Sequence, residues 1–217
     1  MSSVRLKYQT IEFSSMDIHI RSLRDSQEFS DDEKIAEKLG ISSATWPLFG
    51  QLWDAGKVLA NYMYTYEVEN KKILEIGCGM ALSSLVLNER LANITATDYH
   101  PEVESFLKEN VKLNNSKKIP FERTAWTDKN DSLGTFDLVI GSDVLYERWH
   151  IEELAAFINM HVKEHCEIII VDPGRGNHAK FSKLMETLGF SFIQFKAKNS
   201  EKYLKEAFKG QIIKYSR

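Results

Sequence analysis

A short apolar run that leads directly into glycines is the feature that most restricts the fold of this chain. The stretch "KILEIGCGM", residues 72–80, reads as a buried β-strand at 72–76 followed by a turn with Gly77 and Gly79. Glycine lacks a Cβ, so a ligand can approach the backbone closely there. A helix predicted over residues 81–91 directs its N-terminus toward the turn. Such a strand–glycine–helix unit predicts an α/β domain that binds a nucleotide-like ligand.

The alternation of strand and helix continues along the chain. Further strands are predicted at 93–97, 120–125, 136–141 and 166–171, and further helices at 101–113, 150–163 and 177–188. Runs such as "FDLVIG" and "EIIIVD" are almost continuously apolar, which indicates strands covered on both faces. The last two strand-like segments, "FSFIQFKAK" and "GQIIKYS", lack a long helix between them and are predicted to pair antiparallel. The expected fold is a doubly wound, Rossmann-like α/β sheet of seven strands, parallel except for a C-terminal antiparallel hairpin.

The N-terminal part of the chain is predicted to be a small appendage. We assign residues 1–45 to it and residues 46–217 to the main domain. A β-hairpin is expected from residues 8–13 and 16–23, on either side of "SS". Because this segment is short, it has too little apolar surface to form a core of its own. We therefore expect it to pack on the sheet domain.

Two helices are predicted between this hairpin and the glycine turn. In "SDDEKIAEKLG", Ser30 and Glu33 have the spacing of a capping box, and Gly40 stands where a helix ends. A longer helix is expected from about Pro47 to Tyr64, because proline suits the first helical turn.

Composition excludes several classes of function. The 217 residues carry a formal net charge of −3, without the broad basic face that a nucleic-acid partner requires. Two cysteines, Cys78 and Cys166, are too few for a disulfide scaffold and favour a reducing compartment. Neither a signal peptide nor an apolar run of membrane-spanning length is present. We therefore expect a cytoplasmic protein without a membrane or nucleic-acid partner, with a monomer favoured.

Two carboxylates separate the possible cofactors. A dinucleotide fingerprint reads G-x-G-x-x-G, but Leu82 holds the third glycine position. Glu75 precedes the glycines, where it would repel a pyrophosphate and suit a cationic ammonium and sulfonium. Asp98 ends the next strand, where a carboxylate can accept hydrogen bonds from both hydroxyls of a ribose. The two glycines, together with Glu75 and Asp98, favour S-adenosylmethionine over NAD as the cofactor. The alternative is that Glu75 is a surface residue without a role in binding.

A second cluster of polar residues follows the predicted strand at 136–141. Ser142, Asp143 and Tyr146 come directly after it. In open α/β sheets ligands bind outside the carboxyl ends of the strands. Asp143 and Tyr146 are thus expected to face the reacting group, with Ser142 on the cofactor side.

These motifs together resemble methyltransferase family 16, which includes many protein-lysine methyltransferases. The matching pieces, over roughly residues 8–195, are "TWPLFGQLWDAGKVLANYM", "ILEIGCGMALSSL", "ITATDYHPEV", "LKENVKLNN", "TAWTD" and "GSDVLYE". The last piece carries the family's D-x-x-Y signature. The resemblance implies that Trp46 helps to close the methionine end of the cofactor pocket and that Trp126 borders the adenine. Core packing is an equal alternative for Trp46.

The turn departs from the family pattern, which often reads "GCGTGL". Met80 and Ala81 add bulk here, which is expected to shift the carboxylate end of the cofactor without abolishing its binding. The resemblance implies a methyltransferase that uses S-adenosylmethionine, releases S-adenosylhomocysteine and acts on a protein side chain, with lysine favoured and Asp143 and Tyr146 at the acceptor. The alternatives are a small-molecule or histidine methyltransferase and a cofactor-binding protein without catalysis.

Three other features are candidates for a functional role. His161 and His165 are four apart on the predicted helix 150–163, but no further ligands complete a zinc site, so no metal is predicted and a solvated helix end is favoured. Cys78 lies in the turn without a visible base and is expected to pack. Arg175, in "DPGRGNH", either lines the acceptor entrance or is a surface arginine in a glycine-rich loop.

Overall fold

A computed structural model of the chain describes residues 5–217, with the side chain of Asp131 excepted, so residues 1–4 of the predicted appendage lie outside the described residues. The strands are β1 Leu6–Phe13, β2 Met16–Leu23, β3 Lys72–Ile76, β4 Asn93–Asp98, β5 Phe121–Arg123, β6 Phe136–Ser142, β7 Val162–Asp172, β8 Ser191–Phe195 and β9 Gln211–Ser216. The α-helices are α1 Ile35–Lys38, α2 Asp54–Thr65, α3 Leu82–Glu89, α4 Val103–Leu113, α5 Ile151–His161 and α6 His178–Thr187. Short 3₁₀ turns include Trp46–Gly50 and Arg148–His150.

Seven strands form one sheet in the order β5–β4–β3–β6–β7–β9–β8. β3 pairs parallel with both β4 and β6, and β9 pairs antiparallel with β7 and β8. The predicted seven-stranded sheet with its C-terminal antiparallel hairpin is confirmed. The strand order reverses between β3 and β6, and this reversal opens a crevice outside their carboxyl ends.

Helices cover the two faces of the sheet as separate layers. Successive residues of a strand point to opposite faces. Ile73 of β3 packs in the core on the side of α2, α3 and α4, whereas Leu74 and Ile76 pack in the core under α5 and α6. Glu75 therefore faces the same side as Ile73, toward the start of α3.

The predicted hairpin is confirmed as β1 and β2, and asparagines of α4 hold its edge. The amide of Asn110 accepts a hydrogen bond from the Arg21 N–H at 2.7 Å and donates one to the Arg21 carbonyl at 3.2 Å. Asn114 pairs with the backbone of His19 in the same way, at 2.7 Å in both directions. Two side chains of α4 thus replace a third strand beside β2. That residues 1–45 cannot fold alone stays a prediction.

Asn110→Ala should destabilise the protein far more than Asn114→Ala. Asn110 is fully buried, so its loss leaves the Arg21 N–H and carbonyl without partners and should cost about 2 kcal/mol of unfolding free energy. Asn114 is only half-buried, so water can replace its amide and the cost should stay below about 1 kcal/mol. Urea unfolding with unchanged m-values measures both. Equal losses of unfolding free energy in the two variants would show that water reaches the β2 edge at Asn110 as well as at Asn114.

The helix predicted from Pro47 to Tyr64 is broken into two pieces, the 3₁₀ turn Trp46–Gly50 and α2. The break follows Gly50, where an added Cβ would lie 2.3 Å from the Leu23 side chain. Packing of the chain on the hairpin therefore bends it away before α2 begins.

The start of the preceding helix also differs from the prediction. Asp31, rather than Ser30, caps α1, because its carboxylate accepts hydrogen bonds from the N–H groups of Ile35 at 2.8 Å and Glu37 at 2.7 Å. The expected capping box is therefore wrong. Gly40 does end this helix, with φ 78°.

The boundary between α5 and β7 lies earlier than predicted. α5 ends at His161 and β7 begins at Val162, so His161 and His165 do not share a helix. His161 is buried, with its Nδ1 2.9 Å from the Gly134 carbonyl oxygen, while His165 is exposed on the strand. The expected solvated helix end is therefore wrong at His161. Among residues 5–217, no group of three or more potential ligands is placed to hold a metal, and no helix is long and apolar enough to cross a membrane.

Candidate active site

The glycine turn between β3 and α3 is packed from both sides. Gly77 and Gly79 have φ of 57° and 51°, a left-handed conformation that glycine adopts without steric cost. A Cβ on Gly77 would lie 3.0 Å from the Val144 side chain, and one on Gly79 would lie 3.2 Å from the carbonyl oxygen of Phe49. The turn is therefore held between the Trp46–Gly50 segment and the residues that follow β6.

The two residues at which this turn departs from the family pattern, Met80 and Ala81, are buried. Ala81 has a left-handed backbone with φ 55°, a conformation that costs an L-residue roughly 1–2 kcal/mol. Met80 and Ala81 are both buried in the core on the α3 side. Their additional atoms are thus accommodated inside the protein and do not fill the turn.

Glu75 lies beneath the first turn of α3. It is 3% exposed, and its Oε2 accepts hydrogen bonds from the N–H of Ser84 at 2.9 Å and from the Ser84 hydroxyl. The alternative of a surface acid is therefore wrong. Burial, with a smaller contribution from the Asp98 carboxylate, raises the pKa of Glu75 to about 7. A cationic ligand near the turn would lower the free energy of the ionised form.

Relative to Glu75→Gln, the wild-type protein should become less stable as the pH rises from 5 to 8. The folded state retains a proton that the unfolded state loses above its ordinary pKa of 4.5, so raising the pH favours unfolding. A shift to about 7 corresponds to a change of up to ~3 kcal/mol in the difference between the two proteins. Denaturant unfolding at both pH values measures this difference.

Other titrating groups serve as controls for this measurement. Burial lowers the pKa of His100 to about 4, but His100 is present in both proteins, so its effect cancels. For Glu167, burial opposes the shift, but hydrogen bonds from Lys214 and Lys71 lower the pKa to about 2. In the folded state it is fully ionised throughout this window, and the unfolded state, with the ordinary pKa of 4.5, is mostly ionised at pH 5, so Glu167→Gln should show almost no dependence on pH between 5 and 8. A pH-independent difference for Glu75→Gln would mean that Glu75 is ionised throughout.

Asp98, at the carboxyl end of β4, is bonded to the glycine turn. Its Oδ2 accepts a hydrogen bond from the Gly79 N–H at 2.9 Å, and its Oδ1 accepts one from the His100 N–H at 2.8 Å. The residue remains partly exposed. Burial raises its pKa, and these backbone N–H groups oppose the rise. The carboxylate thus has a fixed position beside the turn and retains lone pairs for further donors.

Asp143 follows β6 with a left-handed backbone, φ 54°, and its N–H donates to the carbonyl of Val171 at 2.8 Å. Its carboxylate accepts two hydrogen bonds from Arg175, Nε to Oδ1 at 2.9 Å and Nη2 to Oδ2 at 2.7 Å. The position of Asp143 is therefore fixed by β7 and by the loop after β7. Between the two interpretations of Arg175, this contact favours the one at the site.

Tyr146 lies on the same side of the crevice. Its side chain is 46% exposed. Desolvation of the hydroxyl, followed by the carboxylates of Glu147, Asp98 and Asp143, raises its pKa to about 12. The hydroxyl therefore stays protonated at neutral pH and can donate a hydrogen bond.

The remaining candidate residues are distributed around this centre. Ser142 is half-buried, and its Oγ lies 3.6 Å from the place that a Cβ on Gly56 would take, next to the start of α2. The Trp46 indole N–H donates to the Ile41 carbonyl at 2.9 Å. Trp126 packs edge-on against His150, with ring centroids 5.7 Å apart, beside the core under α5. The roles of Ser142, Trp46 and Trp126 toward a cofactor stay predictions.

Two residues of the site were not found from the sequence. Ser84 donates a hydrogen bond to the Glu75 carboxylate. In the sequence, its only indication is a serine in the first turn of the helix that follows the glycines. Trp53, which directly precedes α2, is 42% exposed and lines the same surface as Asp143. Cys78 is buried and free, as expected of a packing residue, and burial raises the pKa of its thiol.

A groove of about 710 Å³ lies at the opposite edge of the sheet, next to the starts of β3, β4 and β6. Two of its lysines are already paired, Lys71 with Glu167 and Lys163 with Asp137. In sheets of this type ligands bind at the carboxyl edge, so this groove is not the candidate site.

Several curated protein methyltransferases are similar to this chain in sequence. The chain is 29% identical over 117 residues to protein N-lysine methyltransferase METTL21A of Danio rerio, covering 51% of this chain and 50% of the relative. It is 24% identical to calmodulin-lysine N-methyltransferase of Arabidopsis thaliana, covering 65% and 51%. It is 25% identical to histidine protein methyltransferase 1 homolog of Dictyostelium discoideum, covering 73% and 55%. The chain spans about half the length of these curated relatives.

Solved structures share the fold. A ribosomal protein L11 methylase from Lactobacillus delbrueckii subsp. bulgaricus matches with a TM-score of 0.58 and 16% identity, covering 77% of this chain and 79% of that one. Magnesium protoporphyrin IX methyltransferase from Synechocystis PCC 6803, solved with bound SAM, matches with a TM-score of 0.56 and 18% identity, covering 87% and 98%. The family model described as lysine methyltransferase matches residues 31–188, well over half of the chain. The chain therefore belongs to the lysine methyltransferase family, methyltransferase family 16.

Proposed function

We propose that this protein is an S-adenosylmethionine-dependent methyltransferase that acts on a lysine side chain of another protein. The observation that carries the proposal is the meeting of Glu75, Asp98 and the glycine turn with Asp143 and Tyr146 at one edge of the sheet. Glu75, Asp98 and the glycine turn suit a cationic nucleoside ligand. Asp143 and Tyr146 suit a cationic acceptor beside that ligand.

The residues present fit this cofactor. Gly79 leaves a space next to the Phe49 carbonyl that a Cβ would fill, and the Asp98 carboxylate stands beside it with free lone pairs for ribose hydroxyls. Glu75 is a buried carboxyl group that a positive charge nearby would help to ionise. When bound, S-adenosylmethionine supplies a methyl group that is attached to a cationic sulfur. After the transfer, the sulfur is part of the neutral thioether S-adenosylhomocysteine. Trp46, Trp126 and Ser142 are proposed to line the rest of this pocket.

The chain's own residues then hold and orient the acceptor. An unperturbed lysine has a pKa of about 10.4, so only about one in 2,500 is neutral at pH 7. Asp143 is proposed to bind and orient the incoming ammonium, and the Tyr146 hydroxyl to position the nitrogen. Because a carboxylate favours the charged form, desolvation of the bound acceptor is proposed to lower the pKa of its ammonium, and the released proton passes to water before the amine attacks the methyl carbon.

S-adenosylhomocysteine should raise the melting temperature of this protein, and NAD should not. Radiolabelled S-adenosylmethionine should then transfer its label to protein in a cell extract, and acid hydrolysis should release the label as methyl-lysine. Label released as methylhistidine would support the histidine alternative, which one relative's name suggests. Label confined to small molecules would refute a protein acceptor.

Binding of S-adenosylhomocysteine without any label transfer would instead indicate a cofactor-binding protein without catalysis. Equal stabilisation by NAD would contradict the cofactor assignment itself. A monomeric state, a cytoplasmic location and the lack of a nucleic-acid partner stay predictions. The location is supported by the two free cysteines, Cys78 and Cys166.

A further inference from the structure

A groove of about 300 Å³ lies beside Asp143, between the break that precedes α2 and the loop after β7. Its apolar lining includes Leu52, Trp53, Pro173 and Phe208, and its charged groups are Asp54, Asp143 and Arg175. Asp54 is paired with Lys57 at 3.0 Å, so Asp143 is the carboxylate whose partner comes from the loop after β7. An aliphatic chain with a cation at its end would fit such a groove, because apolar walls cover the chain and a carboxylate binds the charge.

In the structure, a cation of the protein itself binds this carboxylate. The Arg175 guanidinium forms two parallel hydrogen bonds to Asp143, at 2.9 and 2.7 Å. Its side chain is 47% exposed, whereas that of Asp143 is 13% exposed. The carboxylate is thus a nearly buried part of the site, while the arginine reaches it from the solvent side.

The loop that carries Arg175 is anchored at both ends. The buried Asp172 accepts a hydrogen bond from the Gly174 N–H at 3.1 Å, and the Asn177 amide donates to the Leu145 carbonyl at 2.8 Å. Between these anchors, Gly174 and Gly176 have φ of 104° and 84°. A Cβ on either would meet nothing within 4 Å. Backbone freedom, and not a lack of space, therefore explains the two glycines.

We propose that Arg175 is a specificity-determining residue that occupies the acceptor's cation site: it holds Asp143 in the free protein and is displaced by the acceptor's ammonium group. This inference rests on the proposed function. Removal of the guanidinium without replacement would leave Asp143 a largely buried, unpaired carboxylate, which is unfavourable. Only another cation restores the pair. A neutral acceptor, such as an unprotonated imidazole, therefore gains no entry by this exchange.

The test uses n-butylammonium chloride as a probe of the lysine side-chain cation, added to the full chain with S-adenosylhomocysteine bound. The Arg175 Nε–H signal in ¹⁵N NMR, identified by its absence in Arg175→Gln, should shift toward the position of free arginine as the probe is added. The neutral n-butanol, and sodium chloride at equal ionic strength, should leave it unchanged. The probe should bind about fivefold more tightly to Arg175→Gln, because a competing pair of this kind is lost.

Three variants complete the test. Lys180→Gln removes one positive charge from the pair with Glu152, and should bind the probe as the wild type does. Arg175→Lys keeps the charge without the two-point geometry and should fall between wild type and Arg175→Gln. Asp143→Asn should lose the probe.

The proposal is overturned if the probe binds while the Arg175 signal stays in place, if Arg175→Gln binds it no better than wild type, or if neither protein binds it. S-adenosylhomocysteine affinity of each variant separates these outcomes from a failure of the proposed function. If the cofactor product binds normally, only the acceptor-site inference is lost. If it does not bind to the wild type, the methyltransferase assignment fails first.

Discussion

Asp98→Ala should weaken the binding of S-adenosylhomocysteine by at least about 10²-fold, because each hydrogen bond to a charged group contributes roughly 1.5–3 kcal/mol and two ribose hydroxyls lose their acceptor. The substitution also removes the acceptor for the Gly79 N–H, 2.9 Å away, so the glycine turn loses an anchor as well. Isothermal titration calorimetry of both proteins measures the change. An unchanged affinity would exclude Asp98 as the ribose ligand.

Asp137→Ala provides a matched control for this experiment. Its carboxylate also accepts a backbone hydrogen bond, from the Lys72 N–H at 2.8 Å, and pairs with Lys163 at 2.8 Å. It belongs to the start of β6, at the edge of the sheet opposite the site. We expect it to lose stability and to keep the affinity for S-adenosylhomocysteine. A similar loss of affinity in both variants would show that the Asp98 effect is general destabilisation.

Asp143→Ala should reduce the rate of methyl transfer by about 10²-fold or more, the loss typical for removal of one charge-stabilising group from an active site. The affinity for S-adenosylhomocysteine should stay near that of the wild type, because Asp143 and Tyr146 follow β6, across the strand reversal from Asp98. Tyr146→Phe retains the ring and isolates the hydroxyl. Initial rates of label transfer and calorimetry, measured on the same preparations, separate chemistry from binding.

Glu147→Gln is the control for these two variants. Glu147 is the neighbour of Tyr146, but its carboxylate contacts His150, at 3.1 Å. It should retain most of the activity. If Tyr146→Phe is fully active, the ring acts only as a wall of the channel. If Asp143→Ala loses cofactor affinity and keeps turnover at saturation, the residue belongs to the cofactor and not to the acceptor.

The parts of this fold that follow local rules were predictable from the sequence. β3, predicted at 72–76, has those bounds because a continuous apolar run in a sheet covered on both faces has few alternatives. The helix predicted from Pro47 failed at Gly50 for a non-local reason, since its neighbour is Leu23 of the hairpin. A boundary that depends on packing between distant segments is not visible in either segment alone.

The candidate site divides in the same way. Glycines after a strand and an acid at the end of the next strand belong to single motifs, so Gly79 and Asp98 were found together. Ser84 and Arg175 act through partners nine and 32 positions away, and only the fold brings these pairs into contact. The boundary at His161 was missed because "VKEHC" is too polar to be recognised as a strand, although β7 begins there beside Phe136.

The asparagine edge of the hairpin has a consequence for aggregation. An open strand edge is a template on which another chain can add a strand. On β2, the backbone groups of His19 and Arg21 are already bonded to Asn114 and Asn110, so this edge offers little to an incoming strand. In the main sheet, β8 is an outer strand and carries Ile193, which is 62% exposed. We therefore expect intermolecular strand addition at β8 rather than at β2, and Ile193→Lys should suppress the addition at β8 without any effect on the hairpin.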